Sequence, residues 1–62
     1  MKGLKQSRKD RELSQQELAL LMGVTVQTIS NWECGRRQPN VSATIKLIRV
    51  LECDYNKLMG EE

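Results

Sequence analysis

Four residues between Val26 and Asn31 offer distinctive chemistry: Val26, Gln27, Ser30 and Asn31 are spaced so that a helix sets them on adjoining positions. Amides and hydroxyls donate and accept hydrogen bonds, and unlike Lys or Arg they carry no charge with which to hold any phosphate regardless of sequence. A glutamine or asparagine amide matches adenine N6 and N7 as a pair, a serine or threonine hydroxyl takes either kind of group, and a valine packs on a thymine methyl. The chemistry on offer is recognition of base edges in a major groove. An ordinary polar helix face is the alternative, although such a face usually carries Lys and Glu.

The flanking residues suit phosphate oxygens. Gln15 stands in the first turn of a predicted helix, where backbone N–H groups and the positive end of the helix dipole favour an anion and the side-chain amide donates as well. Its other possible role is capping or plain solvation. Arg36, Arg37 and Gln38 follow Gly35 directly and are placed to reach flanking phosphates, the alternative being a loop of solvated charges. Thr25 and Thr28 complete the expected phosphate contacts.

Positioning these groups calls for helices, and the apolar residues recur at three and four rather than at alternate positions, with Gly and Pro between the periods. The chain reads as all-α, a bundle of five short helices. The first covers about residues 2–11. Ser14-Gln-Gln-Glu17 is a capping box that opens the second, which runs to Met22 and stops at Gly23. Thr25 caps the third, which ends near Cys34 before Gly35. After the loop Arg36 to Pro39, Asn40 caps a fourth helix from Val41 to Leu51, and Asp54 caps a short fifth through Met59.

Only Gly23 and Val24 separate the second helix from the Thr25 cap, which is the connection of a helix-turn-helix. The small Ala19 lets the two helices approach, while Leu18, Met22, Val24, Ile29 and Trp32 fill the angle between them. On a wheel of about 100° per residue, inward Ile29 and Trp32 leave Gln27, Ser30, Asn31 and Cys34 facing out, with Val26 in the exposed first turn. The expected core is Leu4, Leu13, Leu18, Met22, Val24, Ile29, Trp32, Val41, Thr44, Leu47, Ile48, Leu51, Cys53 and Leu58. Arg8 and Glu33 both tilt toward the core side of their helices. Buried charge needs a partner, so an Arg8–Glu33 pair tying the first helix to the third is predicted, with a structural role.

Sixty-two residues make one domain at most, 1–62, with 39% hydrophobic and 29% charged residues, and a chain this short buries only about 60% of its unfolded surface. The net charge is +2, but its distribution matters more. Lys2, Lys5, Arg8, Lys9 and Arg11 crowd the beginning, the stretch from Gly35 to Leu51 has bases and no acid, and Glu52, Asp54, Glu61 and Glu62 gather at the end. One positive side that meets a polyanion, or a merely solvated surface, fits that asymmetry. Neither an apolar run long enough for a membrane helix nor an apolar leader is present, so the expectation is a cytoplasmic protein. With no histidine and no C-x-x-C, Cys34 and Cys53 are expected to be plain thiols, and no metal, cofactor or small-molecule ligand is expected. An enzyme is not expected either: neither cysteine has an evident base, and every carboxylate has a cap, pair or surface role.

The motifs L-x-x-x-R in the first helix, L-S-Q-x-E-L-A at residues 13–19, G-V-T from Gly23, I-S-N-W-E-x-G at residues 29–35 and R-x-P at residues 37–39 resemble the Cro/C1-type helix-turn-helix regulators, also called the xenobiotic-response-element family. The resemblance covers residues 4–59. It implies a five-helix domain of the lambda-repressor-like type that binds operator DNA, usually as a homodimer, with its third helix in the major groove. By position it carries base contact onto Val26, Gln27, Ser30 and Asn31, phosphate contact onto Gln15, and a recurring ion pair onto Arg8 and Glu33.

Leu20, Leu21, Ile45 and Val50 depart from the family pattern, and the wheels turn Leu20 and Val50 outward. Singly exposed apolar groups need no explanation; a dimer or partner surface is the other reading, with Val50, Tyr55 and Met59 the first choice because late helices commonly carry dimer contacts in similar proteins. Without a second domain, regulation is expected through concentration, competition or a separate protein. The sequence thus points to a DNA-binding transcriptional regulator, a repressor for preference. A protein-interaction module of the same fold, antitoxin-like or regulator-binding, is the rival.

Overall fold

In the computed structural model, which describes residues 1–60, the chain forms α1 (Leu4–Asp10), α2 (Gln15–Met22), α3 (Val26–Cys34), α4 (Val41–Leu51) and α5 (Tyr55–Met59), with no strand among the described residues. Glu61 and Glu62 of the acidic cluster lie outside them. Local chemistry sets most boundaries. Ser14 Oγ accepts from the Glu17 N–H at 3.0 Å while Glu17 Oε1 accepts from the Ser14 N–H at 2.9 Å, so two of the N–H groups that a helix start leaves unpaired are satisfied reciprocally. Thr25, Asn40 and Asp54 each accept from the N–H three residues on, at 3.1, 2.8 and 2.7 Å.

Gly23 closes α2 at φ 71°, the left-handed conformation that costs a glycine little, and its N–H returns to the Ala19 and Leu20 carbonyls. Gly3 serves another purpose. It opens α1 without a side-chain cap, and its N–H donates to the Leu58 carbonyl at 3.0 Å. A Cβ there would sit 1.8 Å from the Lys57 carbonyl oxygen, so the close approach of α1 and α5 requires that nothing larger stand at residue 3.

The core draws on every helix: Leu4, Leu18, Ile29, Leu47 and Leu58 are fully buried, and Leu51, Met22, Trp32 and Ala19 nearly so. Each such leucine contributes about 1.5–3 kcal/mol by leaving water. α2 packs on α3 and α4, and α1 packs on α3 and α5. Leu13, Val24, Ile48 and Cys53 are half-buried against this core, and Thr44 is half-buried as well.

Val41 is not in the core; it is 76% exposed. The helical repeat aligns it with Thr44, Ile48 and Leu51, but a first-turn residue is covered only where a neighbouring element extends that far, and none among the described residues does. Val50 departs in the other direction. The wheel turns it outward, yet it is half-buried against the core, because the packing around α4 wraps beyond the stripe of Leu47 and Leu51. Met1 is a buried residue that helical periodicity cannot reveal: its side chain is in the core and its amino group donates to the Trp32 carbonyl at 2.8 Å. That carbonyl belongs to the last turn of α3, where intrahelical donors run out.

Candidate nucleic-acid interface

α3 presents its edge from a fixed seat. Ile29 and Trp32 are buried, Gln27 and Cys34 are exposed, Val26 is partly exposed in the first turn, and Ser30 and Asn31 are half-buried on the flanks. Gln27 and Asn31 are one helical turn apart, and Gln27 Nε2 donates to Asn31 Oδ1 at 3.2 Å. Thr25 and Thr28 pair their hydroxyls at 2.9 Å beside the start of α3. Beyond Gly35, the Arg36 and Arg37 N–H groups both donate to the Asn31 carbonyl, at 3.0 and 3.3 Å. This folds the loop back against the helix end, with the side chains of Arg36, Arg37 and Gln38 exposed. Neither arginine belongs to an ion pair among the described residues.

Gln15, at the first position of α2, is half-buried and does more than solvate a helix start. Its Nε2 donates to Glu33 Oε1 at 2.9 Å, while Glu33 Oε2 accepts from Arg8 Nε at 2.7 Å and Arg8 Nη1 donates to the Leu13 carbonyl at 2.6 Å. The Arg8 and Glu33 side chains are only 8% and 6% exposed. One carboxylate thus joins α1, α2 and α3 and fixes the Gln15 amide beside the helix-turn-helix. The second Nε2 hydrogen and the carbonyl oxygen of Gln15 are left for an external partner. That Gln15 shares Glu33 with Arg8 is invisible in sequence, since the three residues meet only through the packing of three helices.

The segregation of charge along the chain is partly undone in space. Arg11, from the basic beginning, pairs with Glu52, from the acidic end, at 2.6 Å, and Asp10 pairs with Lys57 at 2.8 Å. Lys46 Nζ donates to the Met22 carbonyl at 3.4 Å, at the negative end of α2. Lys57 and Gln6 hold the Asp10 carboxyl below its ordinary range by hydrogen bonding, and the Ser14 N–H does the same for Glu17. Burial pushes the Cys53 thiol up. Both cysteines are free, and no group able to hold a metal ion occurs among the described residues. Nor is any of their helices long and apolar enough to cross a membrane.

Of the expected dimer surface, only Tyr55 is exposed; Val50 and Met59 are half-buried against the core. The exposed apolar residues of this region are Val41, Ile45 and Tyr55, around a groove floored by Pro39, Thr44 and Ile48. The four-residue spacing of Val41 and Ile45 is the signal that marks this edge in the sequence. A second apolar spot joins exposed Leu20 and Leu21 to Leu13 and Glu17.

A helix closed by glycine, a turn of two residues and a second helix with its amide edge outward define the helix-turn-helix class. The family model described as helix-turn-helix matches residues 4–58, and the chain belongs to this Cro/C1-type family. It is similar to YqaE of Bacillus subtilis (strain 168), described as an uncharacterized HTH-type transcriptional regulator, with 30% identity over 59 residues. The match takes in 95% of this chain and 51% of YqaE, so the chain spans about half the length of that relative.

Proposed function

We propose that the protein is a sequence-specific DNA-binding transcription regulator that represses by occupying operator DNA, with α3 in the major groove. The observation that carries this reading is the outward edge of α3, where Val26, Gln27, Ser30 and Asn31 offer hydrogen bonds and a methyl contact but no charge. Gln15, Thr25, Thr28, Arg36, Arg37 and Gln38 bracket that edge and hold the phosphates. Phosphate contacts fix the register and base contacts supply the selectivity. Family membership and the name of the similar regulator point the same way.

Binding as a homodimer sets two α3 helices about 34 Å apart, one turn of DNA. Tyr55 with Val41 and Ile45 is the apolar surface best exposed for the contact between copies. In a titration of labelled duplexes, log K falls with log salt by about 0.9 for each phosphate neutralised. Gln27→Ala costs about 1–3 kcal/mol on the preferred site and flattens its sequence preference, whereas Arg36→Ala weakens all sequences alike. Equal losses on every sequence for both variants would remove Gln27 from the reading set. The rival reading, a protein-interaction module, draws on exposed Leu20 and Leu21; it requires that random duplexes at low salt show no salt-sensitive binding.

A further inference from the structure

A nearly enclosed carboxylate stands behind the Gln15 amide. Glu33 Oε1 accepts from Gln15 Nε2 at 2.9 Å and Glu33 Oε2 accepts from Arg8 Nε at 2.7 Å, with the Glu33 side chain 6% exposed. An ionised carboxylate has no hydrogen to donate, so only the nitrogen end of the Gln15 amide can face it; the oxygen end would meet a second acceptor. The acid therefore decides which way round the amide stands, and it leaves one Nε2 hydrogen to donate elsewhere. Backbone donors lie beside that hydrogen. Ser14 Oγ takes the Glu17 N–H and the Ser14 carbonyl takes the Leu18 N–H, so among the described residues the N–H groups of Gln15 and Gln16 are left at the positive end of α2.

We infer that Glu33 is a positioning residue for DNA phosphate: from within the fold it holds the Gln15 amide, nitrogen end fixed, at the start of α2, so the Arg8–Glu33 pair serves phosphate contact as well as stability. This rests on the reading of Gln15 as a phosphate-contacting residue. Arg8 contributes through charge. A lone carboxylate behind the contact would repel a phosphate, and the guanidinium bonded to its other oxygen offsets that charge on the spot. The neighbouring glutamine shows the contrast. Gln15 is half-buried and tethered, whereas Gln16 is exposed, without a side-chain partner among the described residues. An amide already ordered loses less rotational freedom on meeting DNA than one that still turns freely. Without Glu33, Gln15 would be free to turn its oxygen toward a phosphate instead of its N–H.

The test uses wild type, Gln15→Ala, the double variant Arg8→Met with Glu33→Leu, and the triple variant that combines them. Each is titrated with the duplex that the wild type selects from a random pool, and with copies in which single phosphates are replaced by uncharged methylphosphonates. Trp32 fluorescence reads the folded fraction. One methylphosphonate is expected to weaken the wild type about fivefold and to leave Gln15→Ala unaffected, which marks the phosphate that Gln15 holds. The double variant is expected to ignore that replacement too, and the triple variant to bind no more weakly than the double. A folded double variant as sensitive to that phosphate as the wild type would overturn the positioning role while leaving Gln15 as a phosphate contact. So would a triple variant weaker than the double by as much as Gln15→Ala is weaker than the wild type. Identical phosphate maps for wild type and Gln15→Ala would remove the Gln15 contact itself, and a wild type that selects no sequence would remove the reading of α3. A second measurement needs no variant to fold: nitrogen-15 relaxation of the free wild type is expected to show Gln15 Nε2 nearly as rigid as the backbone and Gln16 Nε2 mobile. Equal mobility of the two amides would overturn the inference.

Discussion

Replacing Arg8 with methionine tests the joint that holds the helix-turn-helix against α1. The guanidinium makes two short bonds, to Glu33 and to the Leu13 carbonyl, and is nearly enclosed. Methionine fills much of the space but leaves a buried carboxylate with Gln15 as its remaining partner. Removing one member of a buried pair costs about 3–5 kcal/mol, because the other charge stays uncompensated. A chain of this length has a total stability of roughly 3–9 kcal/mol, so Arg8→Met is expected to remove about a third of it or more. Urea unfolding followed by the fluorescence of buried Trp32 measures the loss directly. The double variant Arg8→Met with Glu33→Leu removes both charges, and is expected to regain most of the stability, since apolar replacement of a whole buried pair is often neutral. Its DNA affinity is nevertheless expected to stay below wild type, because Gln15 has lost the carboxylate that orients it. A cost below about 1 kcal/mol for Arg8→Met, the range of an exposed pair, would refute the view that the enclosed pair is a structural joint.

Other substitutions follow from the same geometry. Gly3→Ala drives a methyl group into the Lys57 carbonyl and is expected to lower the melting temperature by separating α5 from α1, seen as faster amide exchange at Leu58. Ser7 Oγ is buried without an oxygen or nitrogen partner, so Ser7→Ala is expected to be neutral or to stabilise by about 1 kcal/mol, read from the urea midpoint. Glu17 and Asp10 both bind protons more weakly in the folded state than in the unfolded one. Their contribution is therefore complete above the ordinary values, 4.5 and 3.8, and is lost as pH falls through the lowered folded ones. Ser14→Ala removes the hydroxyl but keeps the N–H that has the larger effect, so it is expected to move the Glu17 titration, followed by NMR of its side-chain carboxyl carbon, only part of the way back to the ordinary value and to leave Asp10 unchanged.

The boundaries of the fold were legible because they are written in residues three apart. Ser14 with Glu17, Thr25 with Thr28, Asn40 with Ala43 and Asp54 with Lys57 are contacts a chain makes with itself over one turn. What escaped depends on elements meeting. Val41 has the right spacing for the core and is exposed, while Val50 has the wrong spacing and is half covered, because helical phase gives direction but not the reach of the neighbouring helix. Gly3 gives no turn signal, since its need is a carbonyl from α5, 54 residues later. In the candidate interface, the outward direction of Gln27 followed from the periodicity alone. The Gln27–Asn31 bond lies within one turn and was accessible in principle, whereas the sharing of Glu33 between Arg8 and Gln15 required three helices in place.

Polar contacts from several parts of this small domain converge on α3. Thr25 caps its start, the Met1 amino group holds the Trp32 carbonyl near its end, the Arg36 and Arg37 N–H groups close on Asn31, and Glu33 takes bonds from α1 and α2. A helix of nine residues is marginal by itself in water, so its order must come from outside. For a surface meant only to be solvated, such restraint gains little. For one that must bring several amides to fixed edges at once, order established before binding lowers the entropy lost on contact. The consequence is a sign that can be checked: loosening α3 at Arg8, without touching any residue on its outward edge, is expected to reduce selectivity between duplexes along with affinity, whereas loss of an exposed arginine reduces affinity alone.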